Sequence, residues 1–266
     1  MPEGHTVHRT AKIFQKTFAG QSLRVWSPQG RFSADSELID NRVLLRAFAI
    51  GKQMFLRFDR DLTVRIHLGI YGKWRFEGKP DGVAPEPVGQ VRVRFETPTN
   101  YADLRGPTAC EILTDEQVKA LRIKAGPDPL NPDPAGVECE RFVQKVLGSK
   151  TAIGLLLMNQ DVLSGIGNVY RAELLFRAGL DPHRPGNSIS REQVEAIWRD
   201  SVKLLTVGVA KGIMITRDEL LTKRPNVDQR YFVYKREGQP CRVCGVNVTI
   251  ELMAARKLYW CPGCQS

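Results

Sequence analysis

The 266-residue chain has no apolar run of 18 or more residues, which excludes an ordinary membrane-spanning helix. Residues 1–20 carry His, Lys, Arg and Glu throughout, so no secretory signal is legible and a cytosolic location is expected. There is no internal repeat and no low-complexity tract. Cysteine is scarce, six in all, and in a reducing compartment clustered cysteines are more often metal ligands than disulfides. Acidic residues fall short of basic ones, 29 against 39, giving a formal charge of +10 and a pI of about 9.5. A polyanionic partner fits this excess, with nucleic acid first; a merely basic soluble protein is the plainer alternative. The length suits one large domain or two.

Residues 3–19 read as a helix. Val7, Ala11, Phe14 and Phe18 form one apolar stripe, and Gly20 is placed to stop it. From about 21 to 113 the texture becomes short β-type runs: Ser22–Trp26, Val43–Ile50, Met54–Phe58, Thr63–Leu68, Trp74–Phe76 and Val91–Glu96. Turn clusters such as 59–61 and Gly78-Lys79-Pro80-Asp81-Gly82 separate them, which predicts a β-sandwich or barrel. Thr114 with Gln117 resembles a capping box opening a short helix. Residues 126–134 contain four prolines in nine and read as an interdomain linker. Helices are expected near 136–147, 151–158, 168–178 and 190–210. The last has Ser190 and Gln193 as a capping box and Val194, Ile197, Trp198, Val202 and Leu205 as its buried face. Residues 213–235 show no period and many charges, and read as a loop with room to move. The expected division is 1–125, a 126–135 linker, 136–235 and 236–266.

Cys241-x2-Cys244 is followed after 16 residues by Cys261-x2-Cys264. Two such knuckles predict one tetrahedral four-thiolate zinc, structural because no coordination position stays open; two disulfides are the alternative. Val246–Ile250 and Lys257–Trp260 are the candidate strands of a hairpin between them, and Arg242, Arg256 and Lys257 the basic residues it offers to a phosphate. Cys110 and Cys139 have no partner and are expected as buried thiols. Ser164-Gly165-Ile166-Gly167-Asn168 precedes a helix, where backbone N–H groups approach an anion and Asn168 caps the helix or donates to phosphate; a simple capped turn between helices is the plainer reading. Gly51-Lys52 lies between two strands, and His67-Leu68-Gly69-Ile70-Tyr71-Gly72 follows a third. Lys52 suits phosphate, and Ile70 and Tyr71 suit a wedge into a base stack; a surface lysine and ordinary packing are the plainer readings.

The start Met1-Pro2-Glu3 carries the most chemistry. Removal of Met1 would leave a secondary amine, with a reference pKa of about 8, beside a carboxylate and at the positive end of a helix. Such an amine can attack an aldehyde-level carbon to form an iminium, and the carboxylate can move protons. An ordinary processed terminus looks the same when taken alone.

Together these stretches, in this order, resemble the formamidopyrimidine-DNA glycosylase / endonuclease VIII family: Pro2-Glu3-Gly4, Gly51-Lys52, His67-Leu68-Gly69, Gly165-Ile166-Gly167-Asn168 and the four-cysteine finger with Arg256. The resemblance spans nearly the whole chain. It implies an α+β protein: an N-terminal β-sandwich with an N-terminal helix, then a helix–two-turns–helix domain with a C-terminal zinc finger, and DNA in the cleft between. It implies a monomeric, bifunctional DNA glycosylase and abasic-site lyase of base-excision repair, cytoplasmic and nucleoid-associated on DNA. By this likeness Pro2 is the nucleophile at C1′, Glu3 the general acid, and Lys52, Asn168 and Arg256 grip phosphates around the extruded nucleotide. The family usually continues Pro-Glu-x-Pro-Glu, whereas residues 5 and 6 here are His5 and Thr6, which puts the support of the active site in question. Gly154 stands where the 8-oxoguanine-directed branch generally has a lysine, and Tyr71 is similar to the endonuclease VIII pattern, so oxidised pyrimidines are the expected substrates. The rival reading is a zinc-stabilised lesion-binding protein that does not cut.

Overall fold

The computed structural model describes residues 2–79 and 81–266. The fates of Met1 and of Pro80 in the 78–82 turn lie outside the described residues. The apolar stripe at the start forms helix α1 (Gly4–Phe18), and Val7, Ala11, Phe14 and Phe18 are all buried. Val7, Phe14 and Phe18 each contribute about 2 kcal/mol on leaving water, before entropy. Phe14 meets Trp74, Phe76 and Phe95 edge-on, with ring centroids 4.9, 5.4 and 5.6 Å away.

Eight antiparallel strands follow: β1 (Ser22–Trp26), β2 (Arg42–Ile50), β3 (Gln53–Phe58), β4 (Thr63–His67), β5 (Lys73–Gly78), β6 (Val91–Glu96), β7 (Asn100–Arg105) and β8 (Ala109–Leu113). Their order is β5-β7-β6-β1-β2-β3-β4-β8. Ser22 and Leu23 of β1 pair with β2, whereas Arg24–Trp26 pair with β6. One strand therefore turns the corner between two layers, and the result is a β-sandwich. Its interior holds Leu23, Leu44, Phe58, Phe95 and Leu104 together with the α1 stripe.

The short helix α2 (Ser33–Ile39) and strands β7 and β8 were absent from the sequence reading. Strand β7 hides its period because it carries a buried Asp103, held bidentately by Arg94 of β6 at 2.6 and 2.9 Å. Strand β8 is short and only half-buried except at Leu113, so its alternation is weak. Thr114 and Gln117 do form the reciprocal cap of helix α3 (Asp115–Lys124).

The described residues divide into two compact units, one holding 2–3 and 7–124 and the other 4–6 and 125–266. In the second unit the proline-rich stretch is no free spacer. Gly126, Pro127, Asp128 and Pro129 are buried; Gly126 N–H donates to Gln160 O at 2.9 Å, and Ser164 N–H to Pro127 O at 2.8 Å. Proline brings no N–H donor, so such a stretch can be buried with few groups left to satisfy.

Helices α4 (Val137–Leu147), α5 (Ile153–Leu156), α6 (Asn168–Arg177) and α7 (Arg191–Lys211) enclose Phe142, Leu163, Tyr170, Leu174, Ile197 and Leu204. The Ser190–Gln193 capping box opens α7 as expected, but Val202 is only half-buried. Helix α5 is one turn, shorter than read. Among the described residues no helix is long and apolar enough to cross a membrane.

The hairpin of the cysteine unit is displaced from its expected register: β9 is Thr249–Met253 and β10 is Arg256–Trp260. Its two-residue turn is Ala254-Ala255, with φ of 48° and 60°. Such turns normally carry Asn-Gly, so two alanines give no signal.

Candidate nucleic-acid interface and metal centre

Glu3 is the N-cap residue of α1. Its backbone is extended, its side chain makes no capping bond, and it is wholly buried. Pro2, immediately before it, is half-exposed. Gly4 N–H donates to Gly165 O at 2.8 Å, and a Cβ on Gly4 would lie 2.8 Å from Gly165 Cα. Only glycine permits this approach, which seats the start of α1 on the Gly165–Asn168 loop.

His5, the departure from the family pattern, is deeply buried and lies edge-on to Tyr170 at 5.5 Å. Burial pushes its imidazole down to about 4, so it stays neutral at ordinary pH. The residue acts there as an aromatic filler beside Tyr170, not as a charged substitute for a carboxylate.

In the first unit Gly51-Lys52 forms the two-residue turn between Ile50 and its partner Gln53. Gln53 in turn faces His67 across β3 and β4. The His67 imidazole is held below its usual pKa, first by burial and then by the charges of Arg65 and Lys52. Lys52 thus belongs to the end of the sheet from which the 68–72 loop leaves. On that loop Ile70 is 61% exposed and Tyr71 81%.

In the second unit Asn168 does not cap its helix; Gly167 is the N-cap and Asn168 the first helical residue. The Asn168 amide instead donates to Lys257 O at 2.8 Å. Arg171, one turn on and almost fully buried, donates from Nη2 to Asn168 Oδ1 at 2.6 Å and to Lys257 O at 3.0 Å. The N-terminus of α6 is thereby tied to the backbone next to Arg256, which is exposed at the first position of β10. Arg242 faces elsewhere, donating to Tyr231 O and Asp228 O.

The stretch 213–235 is a loop, as its sequence implied, and its two ends are anchored. Glu173 of α6, wholly buried, accepts from the N–H groups of Phe232, Val233 and Tyr234, each at 2.8 Å, and from Thr216 Oγ1 at 2.5 Å. Four donors on one carboxylate offset the cost of burying its charge. Thr216 also closes the neck of the loop on Arg230 O through its N–H, at 3.1 Å. Arg171 and Glu173 were missed from sequence. The available signal was their position: two charged residues inside an otherwise apolar helix, Val169 to Phe176, right after the Gly-rich turn.

The sulfurs of Cys241, Cys244, Cys261 and Cys264 lie within 4.8 Å of one another. Cys241 and Cys264 are 3.8 Å apart at sulfur, and Cys244 and Cys261 3.4 Å. A disulfide needs about 2.05 Å, so the pairs are not bridged. Four sulfurs placed tetrahedrally at about 2.3 Å from one ion would be about 3.8 Å apart, which these residues fit. The unpaired cysteines differ from expectation: Cys110 and Cys139 are half-buried, although burial pushes the Cys110 thiol up to about 12.

Gly154 is not an empty slot. A Cβ there would lie 2.8 Å from Met253 Sδ and 3.0 Å from Pro182 O. The zinc-finger hairpin and the chain before α7 fill the space, so no longer side chain fits without a shift of its surroundings. A cavity of about 720 Å³ between α6 and α7 is lined by Phe176, Arg177, Ile197, Asp200 and Phe232; of the predicted site residues only Cys264 reaches it.

The formamidopyrimidine-DNA glycosylase N-terminal domain matches residues 1–110, and the formamidopyrimidine-DNA glycosylase H2TH domain matches residues 125–219. The chain is 44% identical to Endonuclease 8 1 of Mycobacterium bovis and 30% identical to Endonuclease 8 of Escherichia coli, in both cases over the whole of each chain. Among solved structures it is similar to the MutM (Fpg) protein of Thermus thermophilus, at 27% identity and a TM-score of 0.76 over 99% of this chain and 98% of that one. It shares its fold with Lactococcus lactis Fpg bound to DNA containing an N7-benzyl-Fapy-dG, at 21% identity and a TM-score of 0.82 over both complete chains.

Proposed function

The chain belongs to the formamidopyrimidine-DNA glycosylase and endonuclease 8 family of DNA glycosylases with abasic-site lyase activity, and from that membership we propose that it excises oxidised bases through a Schiff base on Pro2. The observation that carries the reading is the buried Glu3 carboxylate set at the start of α1 directly after Pro2. With Met1 removed, Pro2 presents a secondary ammonium that must lose a proton before it attacks, while the departing base must gain one. Glu3, adjacent in the chain, is placed to take the first and supply the second. Attack of the Pro2 nitrogen on C1′ expels the base, the new ammonium loses its proton, and the C1′–O4′ bond then opens, with O4′ taking a proton, to leave an iminium. The iminium acidifies the C2′ proton, and its loss expels the 3′ phosphate, cutting the strand. The target nucleotide has to leave the stack for this, because C1′ is closed to attack inside a duplex.

Lys52, Asn168 and Arg256 bind phosphates, and Ile70 and Tyr71 enter the gap left by the extruded nucleotide. Cys241, Cys244, Cys261 and Cys264 hold one zinc, which supplies no reaction step and keeps Arg256 and the Lys257 carbonyl in place. Damaged DNA is the partner, and the enzyme works as a monomer. Borohydride reduction in the presence of abasic DNA should trap a covalent adduct, and peptide mapping should place it on Pro2. An adduct on a lysine, or Met1 retained in active protein, would sink the proline assignment. No adduct at all would leave the non-cutting lesion-binding reading.

Lys52→Ala and Arg256→Ala should each weaken binding to all DNA sequences and lower the slope of log affinity against log salt by about 0.9. An unchanged slope in both variants would place these residues outside the interface.

Oxidised pyrimidines should be better substrates than 8-oxoguanine. Separating 8-oxoguanine from guanine turns on one oxygen and one N–H, so it needs a donor or acceptor aimed at them. Gly154 offers no side chain, and Met253 and Pro182 leave no room for one. A saturated, non-planar pyrimidine stacks poorly and costs less to extrude, which gives selectivity without such contacts. Single-turnover excision on matched duplexes decides. Faster release of 8-oxoguanine opposite cytosine than of thymine glycol or 5-hydroxyuracil would reverse the assignment.

A further inference from the structure

The loop that presents Ile70 and Tyr71 sits against a second loop, the connection between β7 and β8. Thr108 N–H donates to His67 O at 2.8 Å, and the next residue, Ala109, pairs with His67 as β4 and β8 begin their ladder. Gly69 has φ +62°, and a Cβ built on it would lie 1.8 Å from Thr108 Oγ1 and 3.1 Å from Thr108 Cβ. The Thr108 hydroxyl thus occupies the space where any other residue at 69 would carry its side chain. Gly72 N–H closes the turn on Leu68 O at 2.9 Å. On the far side Gly106 faces the Tyr71 carbonyl, its Cβ position 3.4 Å from that oxygen. One hydrogen bond within the first loop and the packing of Thr108 and Gly106 from the second hold the backbone of 68–72 while both its large side chains stay exposed.

We propose that Thr108, seated on Gly69, is a positioning residue that holds the Ile70–Tyr71 turn ready for insertion into the base stack. The proposal rests on the reading of Ile70 and Tyr71 as a wedge. Insertion is favoured when the backbone that carries the inserting side chains does not have to be ordered at the moment of binding. A turn already fixed by Thr108 removes that cost from the flipping step. Thr108 itself is exposed and enters no core, so its substitution disturbs the turn without disturbing the sandwich.

The test follows wedge insertion by the fluorescence of 2-aminopurine placed beside an abasic analogue in a duplex, with full-length zinc-loaded enzyme. Gly69→Ala should slow the insertion phase by about tenfold, the size of left-handed backbone strain on an alanine plus the collision with Thr108. Thr108→Ala should slow it by severalfold, whereas Thr108→Ser, which keeps the oxygen, should restore it. Thr108→Gly combined with Gly69→Ala should recover part of the loss, because the collision is then gone. Affinity for undamaged duplex, set by phosphate contacts, should not change in any of them. An insertion phase at wild-type rate in both Gly69→Ala and Thr108→Ala overturns the proposal, as does a Thr108→Ser variant as slow as Thr108→Ala. If Gly69→Ala fails to fold by thermal melting, the Thr108 pair decides alone. Ile70→Ala combined with Tyr71→Ala separates the two levels of the argument. If that variant leaves the fluorescence phase intact, the wedge reading itself fails; if it abolishes the phase while the Thr108 variants do not, only the seat fails.

Discussion

Glu3→Gln should lower single-turnover base excision by about 10²–10⁴-fold, the range of positioned proton transfer, while strand cleavage at an already abasic site survives to a much larger extent. The asymmetry follows from what each substrate asks of the protein. An intact damaged nucleotide has a base to expel, and the leaving base needs a proton. An abasic site presents C1′ as a free aldehyde in equilibrium with its ring form, open to the Pro2 amine without any base to release. Glutamine keeps the volume and hydrogen-bonding shape of Glu3 but cannot carry a proton between groups. Because Glu3 is wholly buried at the head of α1, a near-isosteric replacement is needed to keep the fold. Parallel assays on a duplex with an oxidised pyrimidine and on one with an abasic site give the comparison, with borohydride trapping on the second. Excision within threefold of wild type would remove Glu3 from the proton path. Equal loss on both substrates would show instead that the substitution damages the amine or the fold.

Much of this protein was legible in sequence where one period dominates. The α1 stripe and the Ser190–Gln193 cap read correctly because each depends on residues a few positions apart. The same holds for the four-cysteine arrangement, whose spacing brings the four sulfurs within 4.8 Å of one another. What failed to read depends on partners far along the chain. Strand β7 was hidden by Asp103, a residue that disfavours strands until Arg94 is beside it. The anchoring of the ends of the 213–235 loop did not read, because the residue that holds them, Glu173, is some forty to sixty positions away. The β9–β10 register was missed because two alanines take a turn that favours Asn-Gly, and the hairpin around them enforces it.

The candidate site shows the same division. Its motif residues stood out by chemistry, but their supports did not. Asn168 is oriented by Arg171, and the two meet the backbone of Lys257, eighty-nine positions on from Asn168. Gly4 was read as part of a start motif, whereas its reason is steric: it touches the backbone of Gly165. His5 looked like a loss of support, and burial beside Tyr170 turns it into a neutral packing residue.

Removing the metal should cut DNA binding severely and leave most of the protein folded. Cys261→Ser is the test variant, because Cys261 is wholly buried and one oxygen cannot replace a thiolate on a soft-ligand site. The hairpin of β9 and β10 has two strands, and a two-stranded hairpin is marginal in water on its own. Its local core is small: Val248, Tyr259 and the cysteines against Ala172, Phe176 and Val233. A four-thiolate zinc contributes on the order of 10–16 kcal/mol of apparent binding energy, which in such units is folding energy. No packing change in this small core can replace that. The consequences reach past the finger. Arg256 is the first residue of β10, and Lys257 O is the acceptor that orients both Asn168 and Arg171. Loss of the hairpin should therefore remove two phosphate contacts together, lowering the salt slope by about two units, where Arg256→Ala lowers it by about one. The sandwich core and the α4–α7 core contain none of these cysteines, so a main thermal transition should persist in Cys261→Ser. Elemental analysis should find one zinc per wild-type chain and less in the variant, and chelation of the wild type should reproduce the binding loss. Metal-free protein with full DNA affinity would break the link between the four cysteines and the phosphate grip.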